Sequence, residues 1–358
     1  MEIRMLNKEF LYPTAALFFF AALLQFMNCS KTPAEKFDIA LKKASEGDAE
    51  AAKQLKGLFL AAPPSQTFSG GEIYCDTEIL WEKRNGSIDI LYPKKGGFEL
   101  QNSGMNSMRA VDNDHAVFSD GADIFIFDWN GELKKRIKAG TKREQVLALA
   151  VSGGTIYYLK NNKIYSTSEN DDEKLFIKNA FAPPYSKLFN SYMHVKGNSL
   201  GLLLGVAGSY HFNVIDIEKQ KVIAANIRMA SSKLYLKEDS VLYMSGSIGN
   251  WTLSRFTFKT KARKDYQRYK DIEDAEIFKD EIIIKTSSAM RIGSAGKKDY
   301  TIPPEYDYKG ACGPLALIKY ENVFYGADPA KLYEFIVKIW NIEQNIEKLS
   351  DAAREGKT

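Results

Sequence analysis

The 358-residue sequence has few residues of the kinds that bind metals or supply reactive thiols. It contains three cysteines and three scattered histidines, at Cys29, Cys75, Cys312, His115, His194 and His211. No two cysteines have the CxxC spacing that structural zinc sites use. The sequence also lacks a GxSxG nucleophile motif and a nucleotide-binding glycine fingerprint. We therefore predict no metal and no cofactor, and we identify no catalytic residue.

The sequence also lacks a large excess of one charge. Its 49 Lys and Arg residues face 45 Asp and Glu residues, which gives a formal net charge of +4. A nucleic-acid partner needs a concentrated basic patch, and no basic stripe stands out along the chain. We therefore predict no nucleic-acid partner.

The first segment that is rich in one residue type is an apolar stretch at residues 11–27, which follows Arg4 and Lys8. Positive charge followed by an apolar run is typical of a secretory signal, so we predict a signal peptide over residues 1–28. The stretch is about 17 residues long, the lower limit for spanning a bilayer. An uncleaved N-terminal anchor helix is therefore the alternative, and both interpretations predict export.

Cys29 follows this apolar stretch directly. The segment Leu24-Gln25-Phe26-Met27-Asn28-Cys29 resembles the lipobox of bacterial lipoproteins, although Phe26 and Asn28 replace the usual Leu and small residue. The resemblance implies that Cys29 is lipidated and holds the protein on a membrane of the cell envelope. Ser30 rather than Asp follows the cysteine, which by analogy favours the outer membrane.

Residues 33–60 show apolar positions at helical spacing in two runs. Glu46-Gly47-Asp48 separates them, and Asp48 is suited to cap the second helix. The run GDAEAAKQLKGLFL resembles half of a Sel1-like or tetratricopeptide hairpin, but one hairpin does not make a repeat array. We predict a lipid-anchor linker and helical hairpin over residues 29–64, which serves as a spacer.

From residue 72 onward a polar turn followed by an apolar triplet recurs about every 40 residues. The turns are centred on Asp76, Asn113, Gly153, Gly197, Glu238, Lys279 and Glu321. The triplets begin at Ile79, Ala116, Ile156, Leu202, Val241, Ile282 and Val323. A period near 40 in a β-rich chain is typical of a propeller with four strands in each blade. We therefore predict an all-β fold, a seven-bladed β-propeller over residues 65–335, with the triplets as second strands.

Two segments carry a family resemblance. IFIFDWNGELKKRI, at residues 124–137, is similar to the NHL-type propeller repeat, and VIDIEKQKVI, at residues 214–223, resembles an outer hairpin common in bacterial propellers. Tryptophan motifs of quinoprotein-like repeats and WD dipeptides are absent, so the resemblance implies a generic propeller only. We expect residues 65–71 to add an outer strand to the last blade and close the ring.

The end of the sequence carries a helical pattern. Residues 336–358 are predicted to form a C-terminal helix after a strand at Lys331–Phe335. Its apolar stripe is typical of a helix that docks on its own domain. The stripe consists of Ile336, Ile339, Trp340, Ile346 and Leu349. Binding of a partner by this stripe is the alternative.

The positions of two cysteines give a further prediction. Cys75 lies next to the turn at Asp76, whereas Cys312 lies nine residues before the turn at Glu321. In neighbouring first strands this offset separates them by roughly 26 Å, and a disulfide needs Cα atoms within about 7 Å. We therefore predict that Cys75 and Cys312 are both unpaired, although the exported environment permits a disulfide.

Several polar and glycine-rich segments suggest chemistry but have simpler interpretations. Asp112-Asn113-Asp114, Asp120 and Asp123 do not have calcium-loop spacing, so we expect them to form turns. Residues 169–173 are acidic and are expected to form a solvated loop. The glycines at 197, 201, 205 and 208 precede no helix and are not expected to bind phosphate.

The sequence therefore predicts a membrane-tethered envelope propeller that acts as a protein–protein interaction scaffold. The alternative is a propeller that binds or hydrolyses a small ligand or glycan in its central channel. An exposed aromatic face would favour a protein partner, and a deep channel with converging carboxylates would favour a ligand. The sequence assigns no ligand-binding residue.

Overall fold

The computed structural model describes residues 33–61, 66–68, 73–76, 79–84, 87–99, 108–141, 144–181, 188–206, 209–247, 249–312, 314–320 and 323–354. The predicted signal peptide and Cys29 lie outside these residues. The described part of the chain forms seven antiparallel four-stranded sheets and three helices.

The first six sheets each contain four consecutive strands of the chain. Blade 1 contains β2 (Ile73–Asp76), β3 (Ile79–Arg84), β4 (Ser87–Tyr92) and β5 (Gly96–Glu99). Blade 2 contains β6 (Met108–Val111), β7 (His115–Ser119), β8 (Asp123–Asp128) and β9 (Leu133–Lys138). Blade 3 contains β10 (Val146–Ser152), β11 (Thr155–Lys160), β12 (Lys163–Thr167) and β13 (Lys174–Ile177).

Blades 4 to 6 follow the same order. Blade 4 contains β14 (Leu188–Lys196), β15 (Ser199–Val206), β16 (Ser209–Asp216) and β17 (Lys221–Met229). Blade 5 contains β18 (Leu234–Leu236), β19 (Ser240–Ser247), β20 (Asn250–Thr257) and β21 (Ala262–Lys270). Blade 6 contains β22 (Ile272–Phe278), β23 (Glu281–Thr286), β24 (Met290–Ser294) and β25 (Tyr300–Thr301).

Blade 7 joins the two ends of the propeller. Its first three strands are β26 (Tyr306–Cys312), β27 (Leu315–Tyr320) and β28 (Val323–Ala327). The outer strand is β1 (Gln66–Phe68), which pairs antiparallel with β28. The predicted closure of the ring by residues 65–71 is confirmed, since a strand from the start of the domain completes the last blade.

Apolar side chains on both faces of the second strands hold the blades together. In β15, Leu202 and Leu204 pack into a core shared with blade 3, whereas Leu203 packs into a core shared with blade 5. Successive side chains of a strand point to opposite faces, so a strand between two blades needs an apolar residue at each position. This explains the apolar triplets of the sequence.

The apolar cores connect the blades in chain order. Six core clusters each join two neighbouring blades, namely blades 1 and 2, 2 and 3, 3 and 4, 4 and 5, 5 and 6, and 7 and 1. Because the last of these pairs the seventh blade with the first, the sheets form a ring. The fold is a seven-bladed β-propeller, as predicted.

Two helices precede the propeller. Helix α1 spans Pro33–Ser45 and α2 spans Ala49–Ala61. Gly47 ends α1 with a φ of 101°, which favours glycine. Asp48 caps α2 as predicted, because its carboxylate accepts hydrogen bonds from the backbone N–H groups of Glu50 and Ala51 at 3.0 Å.

The chain divides by its contacts into two units. One contains residues 64–341, and the other contains residues 1–63 and 342–358. In the second unit Ala40, Ala44, Ala51 and Leu55 are buried, and they provide the apolar faces of the helical hairpin. None of the described helices combines the length and the apolar character that a membrane span requires.

The C-terminal helix begins earlier than the sequence predicted. Helix α3 spans Pro329–Arg354, so the strand predicted at Lys331–Phe335 is wrong. Asp328 provides the cap, since its carboxylate accepts the backbone N–H of Ala330 at 2.8 Å, and proline at the first helical position suits a helix start. Ile336 and Ile339 of the predicted stripe are buried. Trp340 is 38% exposed and contacts the Tyr300 ring of blade 6.

The predicted register is correct in six blades and wrong in the seventh. The triplets that begin at Ile79, Ala116, Ile156, Leu202, Val241 and Ile282 all lie in second strands. The triplet at Val323 lies in the third strand, β28, and the second strand is β27. The segments of β27 and β28 are both apolar runs. The later run fits the 40-residue period of the sequence, and this led to the wrong register.

The prediction for the cysteines is also wrong, because Cys312 is disulfide-bonded. Once β27 is the second strand, Cys312 is the last residue of its first strand, just as Cys75 lies near the end of β2. The offset of about eight residues therefore disappears. Cys312 is buried beside Leu80 of blade 1, and β2, which carries Cys75, lies beside β26.

Candidate functional site

A channel with a volume of about 1480 Å³ is lined by first strands of blades 2, 4, 5, 6 and 7, and it also reaches the later strands of blade 6 at Lys285, Met290 and Thr301. Its wall contains residues near the starts of first strands, such as Lys233 and Pro304. It also contains residues from the turns that follow these strands, such as Asn113 and Lys279. The channel therefore extends over the length of the first strands. It is larger than the roughly 300–1,000 Å³ of pockets that hold drug-sized ligands.

An ion pair between two blades lies in the wall of this channel. Lys233, just before β18 of blade 5, donates a hydrogen bond to the Glu276 carboxylate in β22 of blade 6. The Glu276 side chain is 12% exposed and the Lys233 side chain is 38% exposed. Burial raises the pKa of Glu276, and the positive charge of Lys233 opposes this increase.

Tyr308 of blade 7 completes this group. Its side chain lines the channel from β26, while its hydroxyl is buried and has no hydrogen-bond partner among the described protein atoms. Burial raises the pKa of Tyr308 well above its ordinary value, and the nearby carboxylates of Glu276 and Asp274 add to the increase. We call Lys233, Asp274, Glu276 and Tyr308 the mid-channel cluster.

Other polar side chains of the channel wall are compensated by neighbours. Lys309 pairs with Asp307 at 2.5 Å, and Lys285 pairs with Glu273 at 3.4 Å. His194 of blade 4 also lines the channel, and the surrounding protein lowers its pKa to about 4, so the imidazole is neutral at physiological pH. The carboxylates Asp274, Glu276 and Asp307 all line the channel, a feature that the sequence did not identify.

A different polar group lies inside blade 5 and does not line the channel. The hydroxyls of Ser245 and Ser254 lie 2.8 Å apart, and Ser254 donates to the Asp265 carboxylate at 2.7 Å. Arg263 donates to Asp265 at 2.6 Å and to Ser245 at 2.8 Å. These hydrogen bonds lower the pKa of Asp265. We call these four residues the blade-5 network.

The carboxylates near the turns of blade 2 have structural roles, as predicted. Asp112 accepts hydrogen bonds from the backbone N–H groups of Asp114, His115 and, in blade 3, Gly154. Asp120 accepts two more from its own turn. Asp123 pairs with Arg136 at 2.5 Å. These side chains stabilise turns and connect blades. Their carboxylate oxygens accept these hydrogen bonds and are the same oxygens that a calcium site would need.

The described part of the chain holds no group of three or more His, Cys, Asp and Glu side chains placed to bind a metal ion. One hydroxyl–imidazole pair is present, since Ser209 Oγ lies 3.2 Å from His211 Nε2 in β16 of blade 4. Neither residue lines the channel. The predicted glycines also have packing roles, since a Cβ at Gly201 would lie 2.5 Å from the Phe212 ring. Gly208 lies outside the described residues.

The structure also shows a basic edge that the sequence analysis did not recognise. Six basic side chains on or beside β21, the outer strand of blade 5, are exposed. They are Lys259, Lys261, Arg263, Lys264, Arg268 and Lys270. Among them stands one acidic residue, Asp265, which pairs with Arg263. The expectation that the chain has no basic stripe is therefore wrong for this strand.

Comparison with known proteins identifies no family. No protein-family model matches the chain, and no curated protein matches it. The Dos1 propeller is 11% identical with a TM-score of 0.42, over 73% of this chain and 84% of that chain. PorZ, a bacterial surface component of the type-IX secretion system of Porphyromonas gingivalis, is 12% identical with a TM-score of 0.42, over 70% of this chain and 38% of that chain.

A third similar structure is the extracellular domain of the putative one-component system BT4673 from B. thetaiotaomicron. It is 10% identical with a TM-score of 0.41, over 73% of this chain and 39% of that chain. At these identities the three similarities concern the fold alone. What the chain binds must be argued from its own side chains.

Proposed function

We propose that the protein is an exported, membrane-tethered β-propeller that binds a small polar ligand in its central channel. The mid-channel cluster carries this proposal, because it places an ion pair and further carboxylates in the wall of a large channel. Ligand sites characteristically combine a concave surface with a few convergent polar groups. No catalytic step is included in the proposal.

Export is supported by the disulfide of Cys312 as well as by the predicted signal. Disulfides persist in oxidising compartments, such as the bacterial periplasm and the cell surface, and are rare in the cytosol. Lipidation of Cys29 would then keep the propeller at a membrane of the envelope, with the outer membrane favoured. The expected result for Cys29→Ser is an uncleaved precursor or release from the membrane fraction. Cleaved Cys29→Ser protein that still sediments with membranes would refute this tether.

The channel is tested by adding bulk to its wall. Ser288 is an exposed residue of the channel wall, so Ser288→Trp adds bulk there with little cost to the core. The thermal stability of the full chain is measured in the presence of neutral, cationic and anionic small molecules. A ligand at about 100 times its Kd should stabilise the wild type by ~2.7 kcal/mol, and Ser288→Trp should reduce this effect. A ligand effect that is unchanged in Ser288→Trp would contradict binding in the channel.

An interaction scaffold is the second candidate, and the basic edge of blade 5 favours it. An exposed edge with one sign of charge would attract an acidic protein surface and speed association at low salt. The same lysines also protect an edge strand from pairing with other chains. Affinity purification from membranes should therefore recover a partner whose binding weakens in Lys261→Glu/Lys264→Glu and with added salt. A partner retained equally by this variant would refute the basic edge as the contact.

A further inference from the structure

We infer that the ligand of the channel is an uncharged, hydroxyl-rich molecule, namely a carbohydrate of a few sugar units. This inference rests on the proposed function of the channel and adds the chemical class of the ligand. Two features of the channel wall support this inference, namely its ion pairs and its tyrosine side chains.

The charges of the wall largely cancel in pairs. Lys233 pairs with Glu276, Lys309 with Asp307, and Lys285 with Glu273. His194 is neutral at physiological pH because its pKa is about 4. A charged ligand that replaced either partner of the Lys233–Glu276 pair would leave the other partner without its counterion, which is costly because Glu276 is largely buried. The position of this pair therefore disfavours ions of either sign.

An ion pair suits a neutral hydroxyl group well. The Glu276 carboxylate accepts hydrogen bonds only, and the Lys233 ammonium donates them only. A hydroxyl does both, so two adjacent hydroxyls can donate to Glu276 and accept from Lys233 while the pair stays intact. Hydrogen bonds to charged groups are stronger than those between neutral groups. Since the Lys233 side chain is 38% exposed, its ammonium is accessible for such a contact.

Aromatic side chains also line the channel. Tyr92, Tyr192, Tyr235 and Tyr308 line the channel and are each partly exposed. Tyrosine combines a flat apolar ring with a polar end, and sugars present C–H faces as well as hydroxyls. Tyr308 also carries the buried hydroxyl without a partner, which lies in the field of the Glu276 carboxylate. The wall therefore offers both kinds of contact that a carbohydrate uses.

The charges of the wall that have no ion pair among the described residues include Asp274 of the cluster, and Lys196 and Lys279 at one end of the channel. Lys196 is the last residue of β14 and Lys279 follows β22, and both also line a neighbouring cavity of about 500 Å³ with Glu238 and Asp280. Both charge signs occur there, so this end does not select an ion of one sign. The length of the channel leaves room for a ligand of more than one sugar unit.

The test measures binding to the full chain by isothermal titration calorimetry. The neutral probes are maltotriose, mannotriose and N-acetylchitotriose, the cationic probe is spermidine, and the anionic probe is citrate. The channel variant Lys233→Met/Glu276→Leu replaces the ion pair by apolar side chains of similar volume, which preserves folding in many proteins. The matched control is Asp123→Asn/Arg136→Gln, which removes an ion pair of blade 2 that does not line the channel.

We expect at least one neutral trisaccharide to bind the wild type. Its Kd should rise about tenfold or more in the channel variant, which corresponds to about 1.4 kcal/mol, and stay within about twofold in the control. A second variant, Lys233→Gln, keeps the position polar and should weaken binding in the same direction, so the test remains decisive if the double variant does not fold.

The contrary outcomes separate the two proposals. Spermidine or citrate binding that is lost in the channel variant, with no trisaccharide binding, would overturn the neutral ligand and leave the channel function intact. Binding of a trisaccharide that neither channel variant weakens would overturn the assigned site. The absence of binding by every probe would contradict both proposals.

Discussion

The blade-5 network and the mid-channel cluster are both polar groups within an apolar propeller, yet their hydrogen bonding differs. In the blade-5 network, Ser254 and Ser245 are buried and bonded, and Asp265 accepts from both Ser254 and Arg263. In the mid-channel cluster the hydroxyl of Tyr308 has no protein partner, and the Lys233 side chain remains partly open to the channel. A network that satisfies its own members stabilises a blade. A cluster that leaves the Lys233 side chain partly open to a channel is suited to bind a ligand.

The carboxylates of the two groups also differ in the direction of their pKa shifts. Hydrogen bonds from Arg263 and Ser254 lower the pKa of Asp265, so the network favours the charged carboxylate. Burial raises the pKa of Glu276 despite the ion pair with Lys233. Burial also raises the pKa of Glu173 and Asp299, which do not line the channel, so the position of Glu276 in the channel wall rather than the shift distinguishes it. The comparison predicts that changes in the two groups have different consequences.

The largest effect is expected from the disulfide, which affects the cluster and not the network. Cys312 lies on β26, the strand that carries Tyr308, and Cys312→Ala should lower the free energy of unfolding by about 2–4 kcal/mol. Ligand binding in the channel should weaken, because β26 loses its covalent fixation. Urea unfolding and calorimetry measure the two effects.

The same disulfide allows a direct check of the seventh blade. Cys29 and Cys75 are the other cysteines, and Cys75 lies on the strand beside β26. Mass spectrometry of non-reduced, alkylated protein should therefore recover a peptide that links Cys75 to Cys312. Recovery of both as alkylated thiols would show that the register of blade 7 is wrong. Dithiothreitol should destabilise the wild type and leave Cys312→Ala unchanged.

Ser254→Ala tests the blade-5 network. It removes a fully buried hydroxyl and leaves Ser245 and Asp265 without one partner each. The free energy of unfolding should fall by about 1–3 kcal/mol, and ligand affinity should not change. Denaturant unfolding and calorimetry on the same samples provide both values. A loss of affinity larger than about threefold would mean that the network supports the binding site.

Tyr308→Phe tests the cluster in the opposite direction. The variant removes a hydroxyl that has no protein partner, so stability should stay the same or rise by up to about 1 kcal/mol. The matched control is Tyr158→Phe, in which a fully buried tyrosine loses its hydrogen bond to Glu173, at a cost of about 1 kcal/mol. Urea unfolding measures both effects. Equal losses of stability in the two variants would show that the Tyr308 hydroxyl contributes as much to stability as the hydrogen-bonded Tyr158 hydroxyl.

The smallest effect is the pH dependence, which should have opposite signs in the two groups. The folded-state pKa of Glu276 lies above the ordinary 4.5, so its contribution to stability is full below pH 4.5 and is lost as the pH rises through the raised pKa. The folded-state pKa of Asp265 lies below the ordinary 3.8, so its contribution is full above pH 3.8 and is lost as the pH falls through the lowered pKa.

The variants Glu276→Gln and Asp265→Asn should show this difference. Relative to the wild type, Glu276→Gln should become more stable as the pH rises from 4 to 7. Asp265→Asn should become more stable as the pH falls below about 4, by a smaller amount because Asp265 is half exposed and screened by solvent. Urea unfolding across this pH range measures both slopes. Slopes of the same sign would contradict the comparison.

The sequence contains enough information to predict most of the ring. Residues of each second strand face a neighbour on both sides, which produces triplets such as Leu202 to Leu204 at a regular period. The period fails in blade 7 because β27 and β28 are both short and apolar, and only the pairing of β28 with β1 shows which strand is third. Strands β1 and β28 come from opposite ends of the propeller domain, so no short stretch of sequence shows that they pair.

The candidate site could not be predicted in the same way. Lys233, Glu276 and Tyr308 come from three blades and stand more than 30 residues apart in the sequence. None belongs to a motif, and only the fold brings them together in the wall of the channel. The basic edge at residues 259–270, in contrast, is continuous in the sequence and could have been recognised from it. A group of side chains on one strand can be predicted from a short stretch of sequence. A site formed by several blades can be identified only once the fold is known.

The most direct measurement of the proposed channel function is a crystal structure of the wild type with the tightest-binding trisaccharide. We predict electron density in the channel, with sugar hydroxyls within about 3.2 Å of Lys233 Nζ and of the Glu276 carboxylate. Density only on the outer surface of the blades, or an empty channel at a saturating concentration, would contradict the account.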